Sequence, residues 1–384
     1  MNVIMKVSTG TVYDILSRLR VYFNAFRNYD NEEPFRSELY SLDQMNRYGQ
    51  VVARSHKLLK RNLSDKLLKR LRDNEKTLLE VRDLLVESIK GGKAITPGAE
   101  WLLDNFYLIE EQVVIAEKHL PKGYSEGLPC LAEGISTGMP RVYDIVLEII
   151  SHSDGRVDVK SLSSFIAAYQ SYTVLTLGEL WAIPIMLRLA VIENLRRVGA
   201  KVALDMVDHN LADYWADKMI ATVKDEPADL ILTIADMARS KPALASPFVA
   251  GFTRQLQGKG PALALPLSWM EQQLTALGSS SNDLVQQENQ KQAADQVSVR
   301  NCIGTLRMLG ATDWRDFVEE LSSVEQVLRQ EAKGTYPQMD FATRDRYRHV
   351  IEAIAKASPL SETEVAQKVL ELTGLPQNNN PKAQ

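Results

Sequence analysis

His209 invites a chemical reading because Asp205, Asp213 and Asp217 stand at four-residue steps around it. Residues four apart share one face of an α-helix, so an imidazole and three carboxylates would form a single stripe. That stripe supplies nitrogen and oxygen donors of the kind divalent metals use, but no second histidine joins it, and a surface stripe is the plainer reading. A second acidic group, Glu100, Asp104, Glu110 and Glu111, offers the paired carboxyls that glycoside hydrolysis needs on either side of a scissile bond. On one helix they would lie side by side without a cleft. Arg344, Arg346, Arg348 and His349 offer phosphate-binding groups, yet alternate residues of a helix diverge, so three arginines at this spacing make no single fork. Acidic partners on neighbouring helices are expected for them instead.

Between Arg54 and Arg72 eight basic residues face one acid, Asp65. This is a candidate patch for anionic lipid or nucleic acid, against the simpler alternative of a solvated helix face. Lys57, Lys60 and Arg61 fall within one turn, and Lys66, Lys69 and Arg70 repeat that spacing, so a hairpin at Asn62 to Ser64 would bring both triplets to its tip. Other chemistry lacks its motifs. The turn Gly258-Lys259-Gly260 matches neither phosphate-binding fingerprint, no Gly-x-Ser-x-Gly elbow occurs, and Cys130 and Cys302 stand alone and far apart. No catalytic, cofactor or metal residue is assigned.

The elements that must position these groups read as helices throughout. Val12, Ile15, Leu16, Leu19 and Phe23 give a first helix over Thr11 to Arg27, and a second is expected from Pro34 to about Lys60. Ser64 then caps a third, whose stripe of Leu67, Leu68, Leu71, Leu78, Leu85 and Ile89 is stopped by Gly91-Gly92. After Pro97 a helix carrying Trp101, Leu102, Phe106, Ile109 and Val113 on one face runs to Pro121. Helical patterns follow at 140–151, 159–170, 202–222, 228–238, 247–256, 267–277, 281–294, 298–309, 314–330, 341–356 and 362–372. No alternating strand pattern occurs, so the fold class is all-α.

One stretch organises the rest. From Leu180 to Ile192 every residue except Pro184 and Arg188 is apolar, so a helix here is hydrophobic nearly all round and belongs in a core. A bilayer span needs roughly 20 apolar residues in a row. Glu179 and Arg188, Glu193, Arg196 and Arg197 cut this run short of that. Pro184 either kinks the helix or lies in the first turn of one that starts near Trp181.

At 384 residues the chain exceeds the ~250–300 at which single cores stop growing, so more than one lobe or an elongated helical array is expected. The arrangement read here is an elongated array around a buried central helix. It comprises an N-terminal hairpin arm over 1–95, a helical core over 97–373 and a disordered tail over 374–384. Apolar residues at 45% and charged residues at 24% suit a globular protein, and a net charge of −4 points to neither nucleic acid nor an acidic partner. The N-terminus lacks the apolar run of a secretory signal.

Several long strings resemble the N-terminal part of the cyclic β-1,2-glucan synthases. Among them are AEWLLDNFYLIEEQ from Ala99, HLPKGYSEGLP from His119, GELWAIPIMLRLAVIENLRR from Gly178, GPALALPLSWMEQQL from Gly260 and MDFATRDRYRHVIEAIA from Met339. The longest runs from Glu288 to Gln326. The resemblance implies a large membrane enzyme in which a helical segment precedes a glucosyltransferase that uses UDP-glucose. That module's acidic metal-binding residues and its Gln/Arg-x-x-Arg-Trp signature are missing here, for Asp-x-Asp does not occur and Trp314 precedes its arginine. The expectation is a non-catalytic, cofactor-free scaffold or regulator at the cytoplasmic face of the inner membrane. Its partners would be the remaining synthase modules and anionic inner-leaflet lipid, not nucleic acid. The alternatives are an independent helical carbohydrate-active hydrolase and a lipid-docking adaptor.

Overall fold

The computed structural model describes residues 32–59, 66–121, 123–331 and 334–374. In chain order the α-helices are α1 Leu42–Ser55, α2 Leu67–Lys90, α3 Pro97–Asp104, α4 Phe106–His119, α5 Arg141–Ser153, α6 Val159–Gln170 and α7 Leu177–Asp225. Then come α8 Leu230–Ser240, α9 Ser246–Leu256, α10 Ala264–Ala276, α11 Ser281–Ala311, α12 Trp314–Leu321, α13 Ser323–Leu328, α14 Thr335–Gln338, α15 Phe341–Lys356 and α16 Glu362–Gly374. Among the described residues there is no β-strand, only the isolated bridges Leu58 to Leu131 and Cys130 to Pro140. The protein is all-α.

Helix α7 carries the apolar stretch and runs 49 residues. From Leu177 to Ile220 only Asp217 is exposed, so this helix is buried on nearly every side. The helix of the apolar stretch and the one expected over 202–222 are one, because Val198-Gly199-Ala200 does not stop it. Gly199 is there for closeness: a Cβ would lie 3.4 Å from a Leu102 methyl and 3.5 Å from Val81, so the side chains of α2 and α3 pack directly on the helix backbone. Pro184 lies inside the helix, not in its first turn, since Thr176 and Glu179 start the helix earlier than expected. Thr176 and Glu179 form a capping box, in which Thr176 N donates to Glu179 Oε2 at 2.9 Å and Glu179 N to Thr176 Oγ1 at 3.3 Å.

Other boundaries moved for equally local reasons. Residues 35–40 are extended rather than helical: Ser37 N and Tyr40 N donate to Ser151 O and His152 O, and Ser41 with Gln44 makes the capping box that opens α1. The helix expected over 97–121 breaks at Asn105, whose side-chain amide donates to Trp101 O at 2.8 Å and so competes with the helical ladder. Trp101 consequently leaves the core face and is 37% exposed, while Leu102, Phe106, Ile109 and Val113 are buried as expected. Ser322 divides 314–330, ending α12 and capping α13 by accepting from Glu325 N at 3.2 Å. Conversely, the helices over 281–294 and 298–309 fuse, since Asp295-Gln296-Val297 holds no Gly or Pro. The helix expected at Thr11, the Asn62 to Ser64 hairpin, the Ser64 cap and the Asn-rich tail after Leu375 fall outside the described residues.

The chain divides into two compact units, each built from three separate stretches. Of the described residues, the first takes those within Met1–Pro34, Leu71–Glu111 and Ile192–Ile303, and the second those within Phe35–Arg70, Gln112–Val191 and Gly304–Gln384. The first has a core of Trp215, Met219, Met237, Phe248, Phe252, Leu256 and Met270 with their neighbours, with the Phe248 and Phe252 rings stacked at 5.7 Å. In the second, Val324, Leu328, Tyr336, Ile351, Val365 and Ala366 knit α13 to α16 together.

Candidate functional site

The His209 stripe lies in the first unit and lines a cavity of about 250 Å³. Helix α7 contributes Met206, His209 and Asp213, α9 contributes Gly251, Arg254 and Gln255, α11 contributes Gln292, and the Ala94–Pro97 loop closes one side. Gly251 makes the approach of α9 to α7 possible, for a Cβ there would fall 3.1 Å from His209 Nδ1 and 3.2 Å from the Ala212 Cβ. Behind the cavity wall, Glu288 is fully buried. It accepts from Gln292 Nε2 at 2.7 Å and Ser246 Oγ at 2.9 Å, with His209 Nε2 at 3.3 Å. Burial works against ionising this carboxyl, but the hydrogen bonds from His209, Gln292 and Ser246 outweigh it and hold Glu288 below the usual carboxylate range.

The four members of the stripe part company once packed. Asp205 is buried with Lys291 Nζ at 2.7 Å. Burial pushes its carboxyl up to about 6 against the pull of Lys291, with Glu288 and Asp295 adding to the rise. Asp213 accepts from Gln255 Nε2 at 3.2 Å and has Lys93 Nζ at 3.5 Å. Asp217 is the exposed member, and the partial desolvation it still suffers, together with Asp213, raises its pKa. Three of the four carboxylate and imidazole groups thus spend their donors and acceptors on other helices, and no cluster of three or more metal-type ligands occurs among the described residues.

The order of contacts also limits the chemistry. The Glu288 carboxylate sits between Ser246 and His209, so the imidazole does not reach the hydroxyl it would have to deprotonate. Thr96, the cavity's hydroxyl, accepts from Ala99 N at 3.3 Å as the cap of α3. The arrangement suits binding rather than bond-making.

The other acids and bases read from the sequence are placed elsewhere. Glu100, Asp104, Glu110 and Glu111 are exposed on α3 and α4, Glu110 pairs with Arg82 at 2.9 Å, and none of the four lines the cavity. Arg344 and Arg348 are tied down as expected. Arg344 makes a bidentate pair with Glu319 at 2.8 and 2.9 Å, and the fully buried Arg348 reaches Glu325 at 2.5 Å and Glu319 at 2.9 Å. Of the basic patch, Lys57, Lys66, Lys69 and Arg70 are exposed, with Lys57 paired to Glu133 at 3.1 Å. Lys60 and Arg61 lie outside the described residues.

Sequence reasoning missed a buried polar chain in the second unit. Arg141 Nε and Nη2 donate to the Glu179 carboxylate at 2.5 and 2.7 Å, and Nη2 also reaches Val174 O at 3.0 Å. Tyr169, beside Arg141, has its phenol pushed up to about 12 by burial, against the pull of the guanidinium. His56 bridges Tyr169 Oη at 2.9 Å and Asp144 Oδ2 at 3.1 Å. Thr-x-x-Glu before an apolar run was the signal available for Glu179; nothing local marks Arg141 as its partner. With Tyr169, Arg141 and Glu179 all buried, these hydrogen-bonded side chains tie α1, α5, α6 and α7 together.

No family model matches the chain. It is similar to the cyclic beta-(1,2)-glucan synthase NdvB of Rhizobium meliloti (strain 1021), with 28% identity over 344 residues, which are 89% of this chain and 12% of that protein. The resemblance read from the sequence stands: the chain is similar to a region of a cyclic β-(1,2)-glucan synthase and spans a small part of that relative's length. Among the described residues no helix is long and apolar enough to cross a membrane.

Proposed function

We propose that this chain is a helical scaffold or regulator of a cyclic β-(1,2)-glucan synthase, acting on the glucosyltransferase module rather than carrying out the transfer. The observation behind this is the similarity to NdvB over 89% of the chain. Two features support it. The acids offered for hydrolysis are exposed without a cleft, and the described cavity holds no nucleophile activated by a base. The exposed apolar side chains Tyr107, Val114, Ile231, Leu232 and Leu277 supply surface for partner modules. The test is complementation. Deleting the matching region from the relative should abolish or deregulate its cyclic glucan synthesis from UDP-glucose, and supplying this chain in trans should restore it. A deletion without effect on product amount or ring size refutes the proposal.

A second reading, docking on anionic lipid at the cytoplasmic leaflet, is favoured by the exposure of Lys57, Lys66, Lys69 and Arg70. Headgroup attraction contributes about 1 kcal/mol for each Lys or Arg near the surface. It adds to the scaffold role by holding the chain beside a membrane-bound module.

A further inference from the structure

The cavity beside His209 is unassigned by any similarity, and its lining describes its ligand. At about 250 Å³ it is larger than the ~150 Å³ that accommodates benzene and below the ~300 Å³ at which sites for drug-sized molecules begin. One six-membered ring with substituents fits. Its walls are of two kinds: Ile95, Pro97 and Met206 are apolar, whereas Asp213, Arg254, Gln255 and Gln292 are polar.

The polar groups carry both signs of hydrogen bonding. Gln255 and Gln292 commit their amide nitrogens to Asp213 and Glu288, which leaves both amide oxygens as acceptors. Asp213 adds carboxylate lone pairs. Arg254 is exposed, has no ion pair among the described residues, and offers guanidinium donors at the edge of the cavity. Asp213 and the Glu288 behind it offset Lys93 and Arg254, so the wall has no excess of either charge and does not select a phosphate or carboxylate ligand. A purely apolar ring would leave the polar wall without partners, which costs free energy. Hydroxyl groups donate and accept at once and match such a mixed wall, while the C–H face of a saturated ring suits Met206 and Pro97.

We propose that this cavity binds a neutral polyhydroxylated six-membered ring the size of one hexose. The site rests on its lining alone and is independent of the scaffold role. D-glucose serves as the probe, with inorganic phosphate as the charged comparison, on the full chain by saturation-transfer NMR and titration calorimetry. Saturable glucose binding in the millimolar range is expected, with phosphate neither binding nor competing.

Asp213→Ala and Arg254→Ala should each weaken glucose binding about tenfold or more. Asp213 is only partly buried and Arg254 is exposed, so both variants should keep the wild-type helical signal and melting temperature. Three results would overturn the proposal: no saturable glucose binding by the wild type, glucose binding unchanged in both variants, or phosphate binding more tightly than glucose. Failed complementation with glucose binding intact would remove the scaffold role and leave this site standing.

Discussion

The Arg141 and Glu179 pair offers the sharpest test of how this fold is held. Both side chains are nearly inaccessible, at 3% and 0% exposed, and the guanidinium grips the carboxylate through two nitrogens at 2.5 and 2.7 Å. Glu179→Gln keeps the shape and an acceptor for Thr176 but removes the charge, leaving Arg141 with Val174 O as its remaining backbone partner. Breaking a buried pair on one side costs about 3–5 kcal/mol, because the surviving charge stays desolvated. For a cooperative unit of roughly 200 residues, each kcal/mol lowers the melting temperature by about 2–4 °C, so a fall of about 6–20 °C is expected. Arg141→Met should cost a similar amount by stranding Glu179. The double variant Arg141→Met/Glu179→Gln should be more stable than the sum of the single losses implies, by about 2 kcal/mol or more, since no buried charge is left over. Urea denaturation followed by circular dichroism provides the cycle. A Glu179→Gln loss below about 1 kcal/mol, or strict additivity in the double variant, would refute the reasoning and mark the pair as solvated.

Leu187 is fully buried on α7, so Leu187→Ala should destabilise by about 2–5 kcal/mol through lost burial and the cavity left behind, and an unchanged melting temperature would contradict that packing. Asp205 holds its proton to about pH 6 in the folded chain and to about 3.8 when unfolded, so the folded state binds more protons between these values. Stability from this group is therefore greatest below about pH 4 and falls by about 3 kcal/mol as pH rises through 6. Asp205→Asn should flatten the stability curve over that interval, as thermal melts from pH 4 to 7 would record. The isolated chain is expected neither to bind UDP-glucose with a divalent metal nor to transfer glucose from it; micromolar binding by calorimetry would disprove this. Vesicles rich in anionic lipid should retain the chain weakly and release it above ~0.15 M salt, where the Debye length is about 8 Å. Replacing Lys57, Lys60, Arg61, Lys66, Lys69 and Arg70 with glutamine should abolish that retention, and equal pelleting of both proteins would dismiss the lipid reading.

Periodicity alone was enough to read the all-α class, the termini of α6 and α15, and the burial of the apolar stretch, because each depends on local spacing or on one helix being apolar all round. The likeness to a synthase region was equally legible, carried by long strings rather than by any site. What local patterns did not reveal was continuity and pairing. Whether 197–202 or 295–297 interrupts a helix depends on what packs there: Leu102 and Val81 against Gly199 hold α7 together where propensity alone is neutral. The stripe of Asp205, His209, Asp213 and Asp217 was visible at four-residue steps, but its meaning changed once α9 and α11 brought Gln255, Glu288, Lys291 and Gln292 against it. Arg141 and Glu179 are 38 residues apart, with a helix and two loops between them. A charge inside an apolar run demands a partner on energetic grounds, but only the folded chain determines which one, since desolvation and hydrogen-bond geometry are properties of side chains brought together from distant positions.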